Sequence, residues 1–176
     1  MTAQMSDRVA LGDRDYALAQ VEGRGLFEPS EEGLRLFPRC TACWRGFVCY
    51  YEVEADELLL GRLWVALREP EGEGSALRGG PAINGIRPTA PREPTAGFNA
   101  VYEELGLRVC FTGEMLIGDG FIRELYVHMG FHPAWKYQEV LRLTFEQGGL
   151  IECQDVSAEM AELRSHRVSA PPAPAG

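Results

Sequence analysis

From residue 107 to residue 155 the chain is a succession of short segments in which apolar and polar residues alternate, broken by Gly118-Asp119-Gly120 and Gln147-Gly148-Gly149. A two-residue period places successive side chains on opposite faces of an extended backbone, so these segments read as half-buried strands. Leu107, Val109, Phe111, Met115 and Ile117 point one way, and Arg108, Cys110, Thr112 and Glu114 the other. Gly113 falls on the apolar side and marks a bulge or a close backbone approach. Asp119-Gly120 predicts a hairpin turn, with residues 121–128 as the returning strand. Residues 139–145 and 150–154 form another hairpin, with Leu141, Leu143 and Phe145 facing in.

The same pattern extends upstream. Residues 16–23 and 34–37 are strand candidates. Residues 46–54 and 58–67 predict a hairpin about Ala55-Asp56-Glu57, with Phe47, Cys49, Tyr51 and Val53 on one face, and with Leu59, Leu63, Val65 and Leu67 together on the returning strand. Residues 1–13 read as a loosely ordered start. Asn99 and Gly106 sit where the caps of a short helix belong. Residues 157–167 predict a terminal helix docked through Met160 and Leu163. Eleven Gly and Pro residues interrupt residues 69–97, so that stretch reads as a long loop. The expected architecture is one domain, residues 1–168, mainly β. It is an antiparallel curved sheet or partly open barrel with one or two short helices, followed by a disordered tail over 169–176.

Composition fits that expectation. The 176 residues are 45% hydrophobic and 24% charged, enough apolar surface for a core without disulfide or metal. The net charge of −9, from 17 Lys+Arg against 26 Asp+Glu, opposes nucleic acid as a partner, which would require a cationic footprint. No apolar run approaches the ~20 residues that span a bilayer. Residues 1–7 show neither the basic nor the apolar region of a signal peptide. Five cysteines at irregular spacing do not make a disulfide framework. The expected address is the cytoplasm, with reduced thiols.

Two spacings raise the question of chemistry. Cys40-Thr41-Ala42-Cys43 is a CxxC, and His128-Met129-Gly130-Phe131-His132 is an HxxxH. On one continuous strand the two histidines would lie about 13 Å apart, too far for a single ion. Trp44 follows Cys43 where a zinc knuckle usually has Gly. The expectation is no metal and no cofactor. A redox CxxC needs a helix N-terminus beside the first thiol, whereas Arg45-Gly46-Phe47-Val48 leads into a strand. Glu52, Glu54, Asp56 and Glu57 form the densest acidic group, read as a solvated hairpin tip or as a docking surface for a cationic partner. No residue stands out as catalytic.

The binding candidates are Arg45, Tyr126, His128, Trp135 and Tyr137. A strand over 121–128 would carry Arg123 and Glu124 on opposite faces, so one of them would have to be paired or reachable by solvent. It runs into Phe131-His132-Pro133-Ala134-Trp135-Lys136-Tyr137, rich in the residue types that dominate interface hot spots.

Cys40-Thr41-Ala42-Cys43-Trp44-Arg45-Gly46-Phe47 and Tyr126-Val127-His128-Met129-Gly130-Phe131 resemble two signatures of a loose group of small bacterial proteins of unknown function. In that group a Cys-Thr-Ala stretch leads to Arg-Gly-Tyr, and Tyr-Val-His-Met-Gly-Tyr follows a glycine-containing turn. Phe47 and Phe131 stand here in place of the tyrosines. The resemblance implies a bacterial cytoplasmic origin, adds weight to Arg45 and His128, and carries no activity. The function expected is a non-enzymatic binding module, of the inhibitor or immunity kind, that masks a protein partner; neither nucleic acid nor membrane is expected to bind. The competing reading is a small enzyme or metal-dependent protein using His128 with Arg45, Arg123 or Glu124, or the Cys40–Cys43 pair.

Overall fold

In a computed structural model, residues 2–68, 80–92, 95 and 97–169 are described. Nine strands follow in chain order: β1 (Arg8–Leu11), β2 (Arg14–Arg24), β3 (Phe47–Glu54), β4 (Glu57–Val65), β5 (Ala100–Tyr102), β6 (Leu107–Arg108), β7 (Thr112–Phe121), β8 (Tyr137–Glu146) and β9 (Gly149–Asp155). One α-helix, α1 (Ser157–Ser169), closes the described chain. The hydrogen-bonded order β3-β1-β2-β7-β8-β9-β4 returns to β3 through the β3–β4 ladder, giving a closed seven-stranded barrel. β5 and β6 lie along β4. Every pairing is antiparallel except β1 with β3.

Local chemistry explains the ladder. Ala55 and Asp56 both take positive φ, 47° and 61°, the geometry of a two-residue hairpin turn whose twist matches the flanking strands. A bulge opposite Tyr50 and Tyr51 leaves Gly61 unpaired, and any Cβ there would strike the Glu52 carboxylate. The bulge also shifts the alternation of β4. Leu58 and Leu60 face the interior and Leu59 turns partly outward, against the expected facing of Leu59. Gly113 is the close approach anticipated: its φ is +145° and a Cβ would collide with the Glu22 carbonyl across the β2–β7 ladder.

The barrel lumen is filled by side chains. Val9, Cys49, Tyr51, Leu58, Leu60, Leu63, Met115, Ile117, Leu143 and Phe145 are almost wholly inaccessible, and Phe111 meets Phe145 edge-on at 6.0 Å. Small barrels are expected to close in this way over packed side chains. A second, smaller cluster outside the wall joins Ala17, Ala134, Tyr137 and Val140 to Val156 and Met160. There α1 lies across the barrel, fixed where the Asp155 carboxylate accepts the Ser157 N–H at 2.8 Å. Met160 docks as expected, whereas Leu163 stays exposed, at the solvent side of the helix.

Several expected elements are replaced. β7 continues through Gly118-Asp119-Gly120, although Gly120 takes a positive φ of 65°, because Asp119 pairs with Glu139 and the Arg14 guanidinium bridges both carboxylates, at 2.8 and 2.9 Å. Residues 122–136 therefore form a long connection with 3-10 turns at Arg123–Leu125 and Ala134–Lys136, not a returning strand. Residues 99–106 hold the strand β5 in place of a helix; the Asn99 amide bonds both the N–H and the C=O of Leu67, acting as a strand rung rather than a cap. Of residues 34–37 only Leu36 pairs, in an isolated bridge to Leu67. The N-terminal stretch contains β1, so it is a wall of the barrel.

Part of the long loop is packed. Ile83 is buried in the core, Tyr102 donates its hydroxyl to the Pro81 carbonyl at 2.8 Å, and Thr89 exchanges backbone hydrogen bonds with Val101. Residues 69–79, 93, 94 and 96 of that loop lie outside the described residues, as do residues 170–176 of the expected tail.

Candidate functional site

The β7–β8 connection carries the polar-aromatic passage, and a segment near the N-terminus holds it in place. At its base the Ile122 N–H bonds the Lys136 carbonyl at 2.9 Å. At its tip the Gly130 carbonyl accepts the Gln4 N–H at 2.8 Å, and Ala3 bridges Gly130. Gln4 then reaches the loop of the CxxC. Its Nε2 donates to the Thr41 carbonyl at 2.8 Å, and its Oε1 accepts the Trp44 N–H at 2.9 Å. The Met5 N–H bonds the Ala42 carbonyl. Residues 3–5 thus stitch two loops that are far apart in sequence into one surface.

Arg45 anchors this junction. Its two terminal nitrogens bond the two Asp7 carboxylate oxygens at 2.8 Å each, a bidentate pair. Asp7 is buried, 6% exposed, and its Oδ1 also accepts the Cys49 N–H at 2.8 Å. The guanidinium lies between aromatic rings, 4.5 Å from the Phe47 centroid and 5.2 Å from that of Phe131. Arg45 therefore positions the loop, its charge already engaged.

The aromatic groups form a chain along the connection. Phe121 contacts Tyr137 at 5.4 Å and His132 at 4.6 Å between ring centroids, and Tyr126 lies 5.2 Å from His132 and 4.9 Å from His128. His132 is buried, and neither ring nitrogen has a hydrogen-bond partner among the described residues. Burial, reinforced by the Lys136 ammonium, pushes His132 below the ordinary histidine range. Burial also lowers Lys136. His128 by contrast is exposed.

Of the five binding candidates, Tyr126 and His128 lie together on the outer surface of the connection. Arg45 touches that connection through Phe131. Tyr137 is buried beneath it at the start of β8, and burial pushes its hydroxyl up. Trp135 belongs to the helix dock: Lys136 and Arg167 lie over its ring at 5.4 and 5.7 Å, and its carbonyl accepts the Arg164 Nε at 2.8 Å. Arg123 and Glu124 are exposed on a 3-10 turn, so neither faces the desolvation inferred from a strand.

The large apolar exposures at this junction were not all anticipated. Trp44 is 54% exposed, Val127 46%, Met129 58% and Phe131 46%. Val127 enters the sequence reading only as part of the expected strand over 121–128, and Trp44 only as an argument against zinc. Gln4 and Asp7 are the other omissions. The short apolar run Val9-Ala10-Leu11 ahead of the turn residues Gly12-Asp13 was the available sign that the N-terminal stretch is ordered.

Cys43 is buried, its Sγ donating to the Phe47 carbonyl at 3.2 Å, and burial raises its pKa, the reverse of what a nucleophilic thiol requires. Cys40 is half-buried. Among the described residues no three His, Cys, Asp or Glu side chains gather as a metal-binding group. A polar groove of about 490 Å³ lies elsewhere, lined by Arg14, Asp119, Glu139 and Asp155. Hydrogen bonding to Arg14 holds the Asp119 carboxyl below its ordinary range, so it is charged near neutrality.

Fold and surface together define a small β-barrel with a filled lumen and an anchored, apolar-tipped connection on its outside. No family model, curated protein or solved structure matches the chain. No helix among the described residues is long and apolar enough to cross a membrane.

Proposed function

We propose that this protein is a non-enzymatic binding module that masks a protein partner through the β7–β8 connection, in the manner of an inhibitor or immunity protein. One observation carries the reading. Val127, Met129 and Phe131 project from a connection tied by Gln4 and Arg45, so apolar groups face solvent on a backbone already held in place. Clustered exposed apolar side chains mark interaction surfaces, and holding them rigid reduces the ordering cost of association. The filled lumen leaves the outer surface as the place for recognition.

Five unpaired cysteines suit a reducing compartment, and we place the protein in the cytoplasm on that basis. The enzymatic alternative draws less support. Arg45 is committed to Asp7, Arg123 and Glu124 are solvated, and Cys43 is raised by burial.

The test is affinity capture from the native host with quantitative mass spectrometry, comparing the parent with Trp44→Ser, Met129→Ser and His128→Ala. A protein retained by the parent and depleted about tenfold with Met129→Ser, the effect of ~1.4 kcal/mol, supports the proposal. Equal retention by every folded variant contradicts it.

A further inference from the structure

We propose that the outer edge of β9 is a strand-addition site for an extended segment bearing lysine or arginine. The barrel closes between β9 and β4 at one register pair, Glu57 with Gly149. The Leu58 N–H bonds the Gly148 carbonyl and the Leu150 N–H bonds the Asp56 carbonyl, at 2.8 and 2.7 Å. Because the two strands are antiparallel, each step forward along β9 corresponds to a step backward along the hairpin. Leu150 is already level with the Ala55-Asp56 turn, where β4 has ended. Ile151 to Asp155 therefore project beyond the strand that would have covered them.

Exposure agrees with the register. All five residues are exposed, Ile151 at 63%. Among the described residues their ladder runs to β8 alone, regular from Glu152 to Asp155 after a bulge at the base of the strand. The opposite edge presents backbone donors and acceptors to solvent, the geometry by which an extended peptide adds to a sheet. Pro and Lys, which commonly blunt such edges, are absent from Ile151-Glu152-Cys153-Gln154-Asp155.

Charge selects the occupant. Glu152 lies on the edge strand, and Glu54 and Asp56 border it on the hairpin tip; all three are exposed, and none is in an ion pair among the described residues. Glu57 is paired with Arg108 at 3.1 Å, Asp155 caps α1, and the nearby Arg142 is taken by Glu114 and Glu159. A second copy would bring β9 against its own carboxylates, in a chain of net charge −9. A basic strand gains both the backbone ladder and opposite charge. This surface is separate from the β7–β8 connection, so the proposal stands or falls independently of the function above.

The experiment uses the full chain and a synthetic Lys-Val-Lys-Val-Lys-Val-Lys peptide, read by fluorescence anisotropy and by amide exchange of the protein. Expected are binding at low salt and new protection within residues 151–155. Paired Glu54→Lys and Glu152→Lys changes should weaken binding about tenfold or more. A peptide of equal charge with two prolines in its centre should bind far less well, since proline removes ladder donors. No binding, protection elsewhere, or equal affinity for the proline peptide would each overturn strand addition, the last showing charge attraction alone.

Discussion

The lumen and the β7–β8 connection show two ways of placing apolar side chains. In the lumen Phe111, Phe145, Leu63 and Met115 are hidden from water and packed on one another. On the connection Val127, Met129 and Phe131 face water, kept there by polar contacts with Gln4 and by Arg45 held on Asp7. Burial stabilises the first region directly; the second depends on hydrogen bonds and an ion pair made by residues distant in sequence. Stability and the proposed recognition would thereby fall to different residues, and substitutions should separate them.

The largest effect is expected in the lumen. Leu63→Ala leaves a cavity inside a filled barrel and should destabilise by about 2–5 kcal/mol, measured by urea unfolding. A loss under ~1 kcal/mol would mean that the lumen is loosely packed.

Next comes the anchor. Asp7→Ala strands Arg45 and leaves the Cys49 N–H without its carboxylate. Removing one partner of a fully buried pair costs ~3–5 kcal/mol, and the partial exposure of Arg45 reduces this to roughly 2–3 kcal/mol. Faster amide exchange at Gly130 and Phe131 should accompany it. If exchange there is unchanged, the junction does not hold the connection.

A smaller, pH-dependent effect is expected from His132. Its folded pKa lies below the ordinary 6.5 of the unfolded chain. Above pH 6.5 both states are neutral and the stability is at its full value. As pH falls below 6.5 the unfolded state takes up a proton that the folded state resists, so stability declines until the folded pKa is reached. The protection of residues 122–136, their exchange corrected for the intrinsic pH dependence of amide exchange, should fall over that window in the parent, and His132→Gln should flatten the profile. A parent profile as flat as that of the variant would contradict it.

The smallest stability effect belongs to the exposed groups. Met129→Ser and Trp44→Ser should change folding by no more than about 0.5 kcal/mol, while removing the apolar surface proposed for recognition. A larger loss would show that these side chains are structural.

Much of the lumen was legible because its information is local. Alternation placed Phe47, Cys49 and Tyr51 inward on β3, and Val109, Phe111, Met115 and Ile117 inward around β7. Where a bulge interrupted the count, at Gly61, the facing of Leu59 was lost. Asp119-Gly120 has the composition of a turn, yet Arg14 and Glu139, from other strands, hold Asp119 in the sheet and β7 runs on. The site was legible in part. Tyr126 and His128 do lie on one exposed surface, but the Asp7–Arg45 pair and the Gln4 stitch depend on contacts 38 and 40 residues apart, which no local pattern encodes. Trp135 and Tyr137 were drawn into the site by their chemistry, whereas the fold uses them to seat α1.

The most direct measurement of the central claim is site-specific photo-crosslinking in the native host, with a photoreactive residue in place of Met129 and, separately, of the exposed Gln20 on the barrel wall. The account predicts a discrete protein adduct from position 129 and none from position 20. Adducts equally abundant at both positions, or absent at 129 in a folded and expressed protein, would contradict it.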